Sequence, residues 1–249
     1  MTPSGDKAAL RRHFRARRRE ALAGATAALR AAAVARLPEL LPPGRWLGLY
    51  WPVGSEPDLD PWAPGGLAER LVRVGGEARL ALPVVLPAQP GEPQGRLIYR
   101  PWRREIPLRP DACGIPAPLP PEDARTTERL VLEALALEAR PGAVLPAGCL
   151  PSEGLSPRAL APGALPPEAL GLLLVPALAV DREGLRLGSG GGWYDRLRAD
   201  PAWRAVPALA VLPAACVVDQ LPRDPWDVPF SGWLDERGVW EAELVLHHS

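Results

Sequence analysis

Residues 184–197 read GLRLGSGGGWYDRL, and the run Gly188-Ser189-Gly190-Gly191-Gly192 stands directly before Trp193-Tyr194-Asp195. Glycine lets backbone N–H groups come close to a ligand and adopts positive φ, and a run of amides feeding a helix start forms a nest for an anion. Phosphate is the natural guest of such a nest. Asp195 is placed either to complement the dipole at a helix start or to hold Mg²⁺, which favours one or two carboxylates together with phosphate oxygens. Trp193 and Tyr194 offer flat faces to a planar ring, or simply core side chains. A glycine-rich turn beside a core aromatic pair is the plainer reading of the same residues.

Two familiar phosphate loops do not fit. The dinucleotide fingerprint GxGxxG fails because Trp193 stands where its third glycine belongs. The P-loop fails for want of a nearby lysine: Lys7 is the only lysine in the chain, so 28 of the 29 basic residues are arginines. That scarcity makes Lys7 informative. Lys7, Arg11, Arg15 and Arg18 recur at helical spacing, so they share one face. The face is either a solvated basic surface or a set of cations for an anion. Arg186, just before the glycine run, adds a cation from the strand side.

The elements that must hold these residues follow from pattern. A helix is predicted from Asp6 to about Ala23, and a second from a Thr26 cap to about Leu37. Strands are predicted at 45–51, 79–86, 96–102, 206–212 and 228–234, and helices at 61–74 and 126–139. The apolar run 169–180 reads as a central strand leading to the glycine run. Glu56 lies in the loop after the first strand. Such alternation implies an α/β fold with a mainly parallel sheet covered on both faces. Residues 140–167 lack any clean period and read as a Pro/Gly-rich insertion in a single domain spanning 1–249.

Composition narrows the function. Acidic and basic residues number 29 each, so no global field points to nucleic acid or an anionic membrane. Cys113, Cys149 and Cys216 are widely spaced, which supports neither a disulfide framework nor a zinc site and suggests small buried side chains. No uninterrupted apolar leader is present, and the 169–180 run is short and carries Pro176. A soluble, cytoplasmic protein is expected.

RLGSGGGWYDRL closely resembles the signature RLGxGxGYYDRxL of the 5-formyltetrahydrofolate cyclo-ligases, and the similarity runs without a gap from Pro176 to Leu197. Lys7-Ala8-Ala9-Leu10-Arg11 resembles the family's N-terminal KxxLR, YWPVGSEPDL at 50–59 its first strand and loop, and Gly114–Pro118 its GIPEP. PRDPWDVP at 222–229 is similar to its C-terminal PxxxHDxxx segment. The chain departs from the pattern at Ala117, Val180, Ser189 and Trp226, where the family commonly has a glutamate, an aromatic, a tyrosine or arginine, and a histidine.

The resemblance implies a three-layer α/β/α fold like those of sugar-phosphate isomerases and CoA transferases, and a monomer. It implies ATP- and Mg²⁺-dependent conversion of 5-formyltetrahydrofolate to 5,10-methenyltetrahydrofolate. ATP would meet Lys7, Arg11, Arg186, Leu187, the turn Gly188, Ser189, Gly190, Gly191 and Gly192, and Trp193 and Tyr194. The folate would meet Trp51, Glu56, Trp193 and the same turn from Ser189 to Gly192. Lys7, Arg11, Arg186 and Asp195 would be catalytic, and Asp195 and Asp227 would hold the metal, with Asp224 close enough to replace Asp227. The departures and the insertion leave open a second reading, a cyclo-ligase-like protein that binds nucleotide or folate without turnover. A third, an isomerase or CoA-transferase activity, rests on fold analogy alone.

Overall fold

The computed structural model describes residues 3–120 and 161–243. The helix predicted at 126–139, Cys149, most of the insertion, and the tail with His247 and His248 lie outside them.

The N-terminal region is one helix, α1 (Pro3–Leu40), rather than two. The Thr26 hydroxyl donates to the Leu22 carbonyl at 2.7 Å, so it bonds back within the helix and caps nothing. Gly24 costs about 1 kcal/mol in a helix interior. Ala25, Leu29, Ala33 and Leu37, all buried at a spacing of four, outweigh it by packing on the sheet.

Seven strands form the central sheet in the order β12-β11-β9-β6-β1-β2-β3. They are β1 (Trp46–Gly48), β2 (Leu80–Leu86), β3 (Arg96–Trp102), β6 (Leu170–Pro176), β9 (Ala208–Val211), β11 (Gly232–Asp235) and β12 (Gly238–Glu241). The inner pairings are parallel, and only the edge strands β3 and β12 run antiparallel to their neighbours. Side chains alternate across it. Leu47, Leu80, Leu82, Leu172, Leu174 and Leu209 face the C-terminal half of α1 and α2 (Leu67–Gly75). Trp46, Ala81, Leu173, Val175, Ala208 and Ala210 face the opposite layer. Gly48 lets this layer pack closely: a Cβ there would come within 2.6 Å of Leu173 Cδ2 and 2.9 Å of Tyr99 Cε1.

That opposite layer holds α3 (Trp193–Ala199), α4 (Pro201–Ala205) and a small sheet of β10 (Val217–Val218), β7 (Ala179–Asp181) and β8 (Arg186–Leu187). The apolar run read as one strand is therefore two: just past Pro176 and a last bond from the Ala177 N–H to Val211 O at 3.2 Å, the chain leaves the central sheet, and β7 pairs with β8 and β10 instead. The helix predicted at 61–74 starts only at Leu67, since the proline- and glycine-rich residues 61–66 form turns. β4 (Leu108–Pro110) and β5 (Pro116–Pro118) make a separate ribbon, and Ala117 is buried in it. Cys216 is buried as expected, but Cys113 is exposed, at a turn tip whose amides are taken by Asp111. The last residues of the expected insertion belong to the core: Leu165 is fully buried and its N–H bonds the Tyr99 carbonyl at 2.8 Å.

Candidate functional site

A cavity of about 640 Å³ opens where the first turns of α1, the loop after β1, β8, the glycine turn and the loop at 224–227 meet. All of the candidate residues drawn from the sequence line it. Lys7 and Arg11 come from α1, Trp51 and Glu56 from the loop after β1, and Arg186 and Leu187 from β8. The turn Gly188–Gly192 follows, with Trp193, Tyr194 and Asp195 from the start of α3 and Asp227 from the last loop.

The turn is held by its carbonyls. Arg11 Nε donates to Gly188 O at 3.2 Å, Arg15 Nη2 to Ser189 O at 2.9 Å, and Arg196 Nη1 to Gly191 O at 2.9 Å. Gly190 and Gly192 take φ of +112° and +63°, which a side chain would resist. Among the described residues no acceptor meets the N–H groups of 189–192. Guanidinium groups thus take three of the turn's carbonyls and leave its N–H groups without a protein acceptor, the combination that an anion nest requires.

Around the nest the charges are paired. Lys7 Nζ lies 2.6 Å from both Asp224 Oδ2 and Asp227 Oδ2, and the lysine is 8% exposed. Burial works against its ammonium, but hydrogen bonds and charge from the two aspartates prevail and hold its pKa above the ordinary value. Arg186 Nη2 meets Asp195 Oδ1 at 2.6 Å. The Arg186 guanidinium also lies 5.0 Å from the ring centre of Phe230 and 5.7 Å from that of Tyr194. Arg198 sits 5.0 Å from the same Phe230 ring and donates to the Val206 carbonyl.

The carboxylates suit Mg²⁺ in number, as a pair at Asp224 and Asp227 and singly at Asp195, because that ion takes few protein ligands beside phosphate oxygens. Each already faces a cation of the protein. Among the described residues no three His, Cys, Asp or Glu side chains converge into a cage.

The other wall is aromatic and more apolar. Trp51 packs edge-on against Trp102 with centroids 6.2 Å apart. Trp193 lines the cavity with Arg196 stacked on its ring at 4.5 Å. Burial raises the Glu56 pKa, opposed by a hydrogen bond from the Val53 N–H and by the charge of Arg18. Burial also raises the Tyr194 phenol far above its usual range. Arg18 is buried at 4% exposure beneath this wall. Sequence reasoning placed Arg15 and Arg18 on the right face but gave them no role, since 28 arginines mask any single one. Ser55 carried no signal. Trp226, noted only as a departure, stands 68% exposed at the rim.

Residues 154–234 match the 5-formyltetrahydrofolate cyclo-ligase family. The matched residues include β6, the glycine turn and the Asp224–Asp227 loop. A cyclo-ligase from Mycolicibacterium smegmatis is 44% identical over 69 residues, covering 27% of this chain and 35% of that protein. One from Escherichia coli is 33% identical over 72 residues, covering 29% of this chain and 40% of that protein. The alignments thus span well under half the length of these relatives. The fold extends the likeness. The 5,10-methenyltetrahydrofolate synthetase of Aquifex aeolicus superposes with a TM-score of 0.56 at 24% identity, covering 97% of both chains. That of Mycoplasma pneumoniae gives 0.55 at 17% identity, covering 93% of this chain and 99% of its own. Lys7, Arg11, Trp51 and Glu56 lie outside the cyclo-ligase match in sequence, yet they close the same cavity as the matched turn.

Proposed function

We propose that the protein is an ATP- and Mg²⁺-dependent ligase that converts 5-formyltetrahydrofolate to 5,10-methenyltetrahydrofolate. The observation that carries this reading is the glycine turn itself: three of its carbonyls are held by arginines, its amides have no acceptor among the described residues, and it lines a cavity with Lys7, Arg186 and Asp195. The cyclo-ligase match of residues 154–234 supports the choice of reaction.

The chemical obstacle is a formamide carbonyl that resists the neighbouring N10 amine. Transfer of the ATP γ-phosphoryl group to the formyl oxygen turns it into a leaving group; N10 then attacks the formyl carbon and gives up its proton to solvent, the ring closes, and the carbon–oxygen bond breaks to release phosphate. ADP is the other product. Phosphoryl transfer calls for positioning and charge neutralisation rather than a protein nucleophile. The amides of 189–192 grip phosphate oxygens, and Lys7, Arg11 and Arg186 neutralise them. Asp195, with Asp227 or Asp224, would hold Mg²⁺, which supplies further charge neutralisation at the phosphates. Trp51 and Trp193 flank the folate rings, and Glu56 accepts from the pterin amino group.

The test is spectroscopic. Methenyltetrahydrofolate absorbs in the near ultraviolet where the formyl compound does not. Protein with 5-formyltetrahydrofolate, ATP and Mg²⁺ is expected to develop that band, and omission of ATP to abolish it. A flat trace with both ligands demonstrably bound would overturn the reading in favour of binding without turnover.

A further inference from the structure

Ser55 stands between Gly54, at φ +61°, and Glu56 on the cavity wall, and Arg18 reaches it from below. The Arg18 guanidinium divides its donors. Nη1 bonds the Ala177 carbonyl at 3.0 Å, where the chain has just left the central sheet, while Nε and Nη2 reach Ser55 Oγ at 3.4 and 3.3 Å. One buried side chain thus joins α1, the β6–β7 link and the loop after β1. A hydroxyl has two acceptor lone pairs and one proton to give. Both N–H groups converge on one side of Ser55 Oγ, so the oxygen accepts from Arg18 and its own proton is left to give; among the described residues no acceptor meets that proton. Beside it Glu56 is the complement: one carboxylate oxygen takes the Val53 N–H at 3.0 Å, and the ionised group can only accept. A donor next to an acceptor matches a ring edge that carries an acceptor next to an N–H group.

We propose that Ser55 donates a hydrogen bond to an acceptor atom on the pterin edge of the folate, with Arg18 as the positioning residue that fixes the direction of its hydroxyl. This rests on the cyclo-ligase reading and adds a specificity residue to it. A site built to hydrogen-bond its ligand discriminates sharply when one partner is removed. Arg18 also seals the loop to α1, so its own substitution tests fold as well as binding, and Ser55 is the cleaner target.

The experiment compares wild type, Ser55→Ala and Ser55→Thr in steady-state kinetics, with thermal unfolding as a control. Ser55→Ala is expected to raise KM for 5-formyltetrahydrofolate about tenfold, roughly 1.4 kcal/mol, while KM for ATP stays put and the unfolding midpoint falls only modestly as Arg18 loses an acceptor. Ser55→Thr, which restores the hydroxyl, is expected to recover most of the loss. An alanine variant with wild-type folate KM, or a threonine variant no better than alanine, overturns the assignment. A wild type that forms no product refutes the ligase reading alone. In that case, equilibrium titration of 5-formyltetrahydrofolate into wild type and Ser55→Ala decides the hydrogen bond: a tenfold affinity difference upholds it, and equal affinity or no binding to either overturns it.

Discussion

Arg186 and Asp195 face each other at 2.6 Å on the cavity wall, nine residues apart in sequence with the glycine turn between them. The pair closes the base of the turn and couples the strand-side cation to the proposed metal ligand. Asp195→Asn keeps the shape but removes the charge. Arg186 retains its stacking on Phe230 and Tyr194, so the fold survives. We expect turnover to fall at least tenfold, about 1.4 kcal/mol of barrier, with little change in the unfolding midpoint. Wild-type rates in this variant would remove Asp195 from the chemistry.

Lys7 gives a two-part prediction. Lys7→Met leaves Asp224 and Asp227 facing a shared space without their cation, and breaking a largely buried pair in this way costs about 3 kcal/mol. KM for ATP is also expected to rise at least tenfold if the ammonium neutralises phosphate. A second change, Asp224→Asn in the Lys7→Met background, relieves the carboxylate repulsion. Denaturant midpoints should then recover in part while KM for ATP stays high. Recovery of both together would make Lys7 a purely structural strut.

How much of this could be read from residues alone differs from one element to the next. β2 and β3 were legible almost to the residue, because apolar and β-branched runs of that length have few other uses. The turn at 188–192 was legible because glycine so concentrated is informative. The joining of two predicted helices into α1 was not, since Thr26 has the same sequence signature whether it caps a helix or bonds back within one. The break at Pro176 depends on β7 finding partners in β8 and β10, a tertiary fact. The network of Arg18, Ser55 and Ala177 spans sequence separations of 37 and 159 residues, beyond any local pattern. The resemblance singled out Asp227 with Asp224 as its substitute, and the structure shows why neighbours three apart compete: both meet Lys7 Nζ at 2.6 Å from one loop.

Gly192 opens α3 in the left-handed region, and a Cβ there would come within 2.7 Å of Arg196 Nη1, the same nitrogen that holds the Gly191 carbonyl. Gly192→Ala therefore combines backbone strain of about 1–2 kcal/mol with displacement of a guanidinium from the turn. Gly190→Ala meets only ordinary contacts, the nearest atom being Arg11 Nε at 3.7 Å, but its φ of +112° lies outside the left-handed basin open to other residues. Chemical denaturation should show both variants destabilised, and Gly190→Ala the more so, because Arg196 can swing aside from a Cβ at 192 whereas the backbone at 190 has no such relief. A Gly192→Ala variant less stable than Gly190→Ala would mean that the Arg196 bond to the Gly191 carbonyl outweighs the backbone strain.

Glu56 links binding to stability through pH. Burial holds its carboxyl above the ordinary value of 4.5, despite the Val53 N–H and the Arg18 charge. The unfolded chain therefore releases this proton first, and stability falls as pH rises from about 4.5 through the raised folded value, then levels off. At neutral pH the charged carboxylate is a net cost to the fold, retained in this reading because it accepts from the pterin. Glu56→Gln keeps an oxygen for the Val53 N–H and removes the charge. The variant should be more stable than wild type at pH 7, by about 2–4 °C for each kcal/mol gained in a chain of this size. The difference should vanish well below pH 4.5, where both states of the wild type are protonated. KM for 5-formyltetrahydrofolate should rise at neutral pH in the same variant, since an amide cannot match a carboxylate as acceptor. A Glu56→Gln protein that loses stability at pH 7 would overturn the cost assigned to the buried charge, and one that keeps its folate KM would separate Glu56 from the substrate.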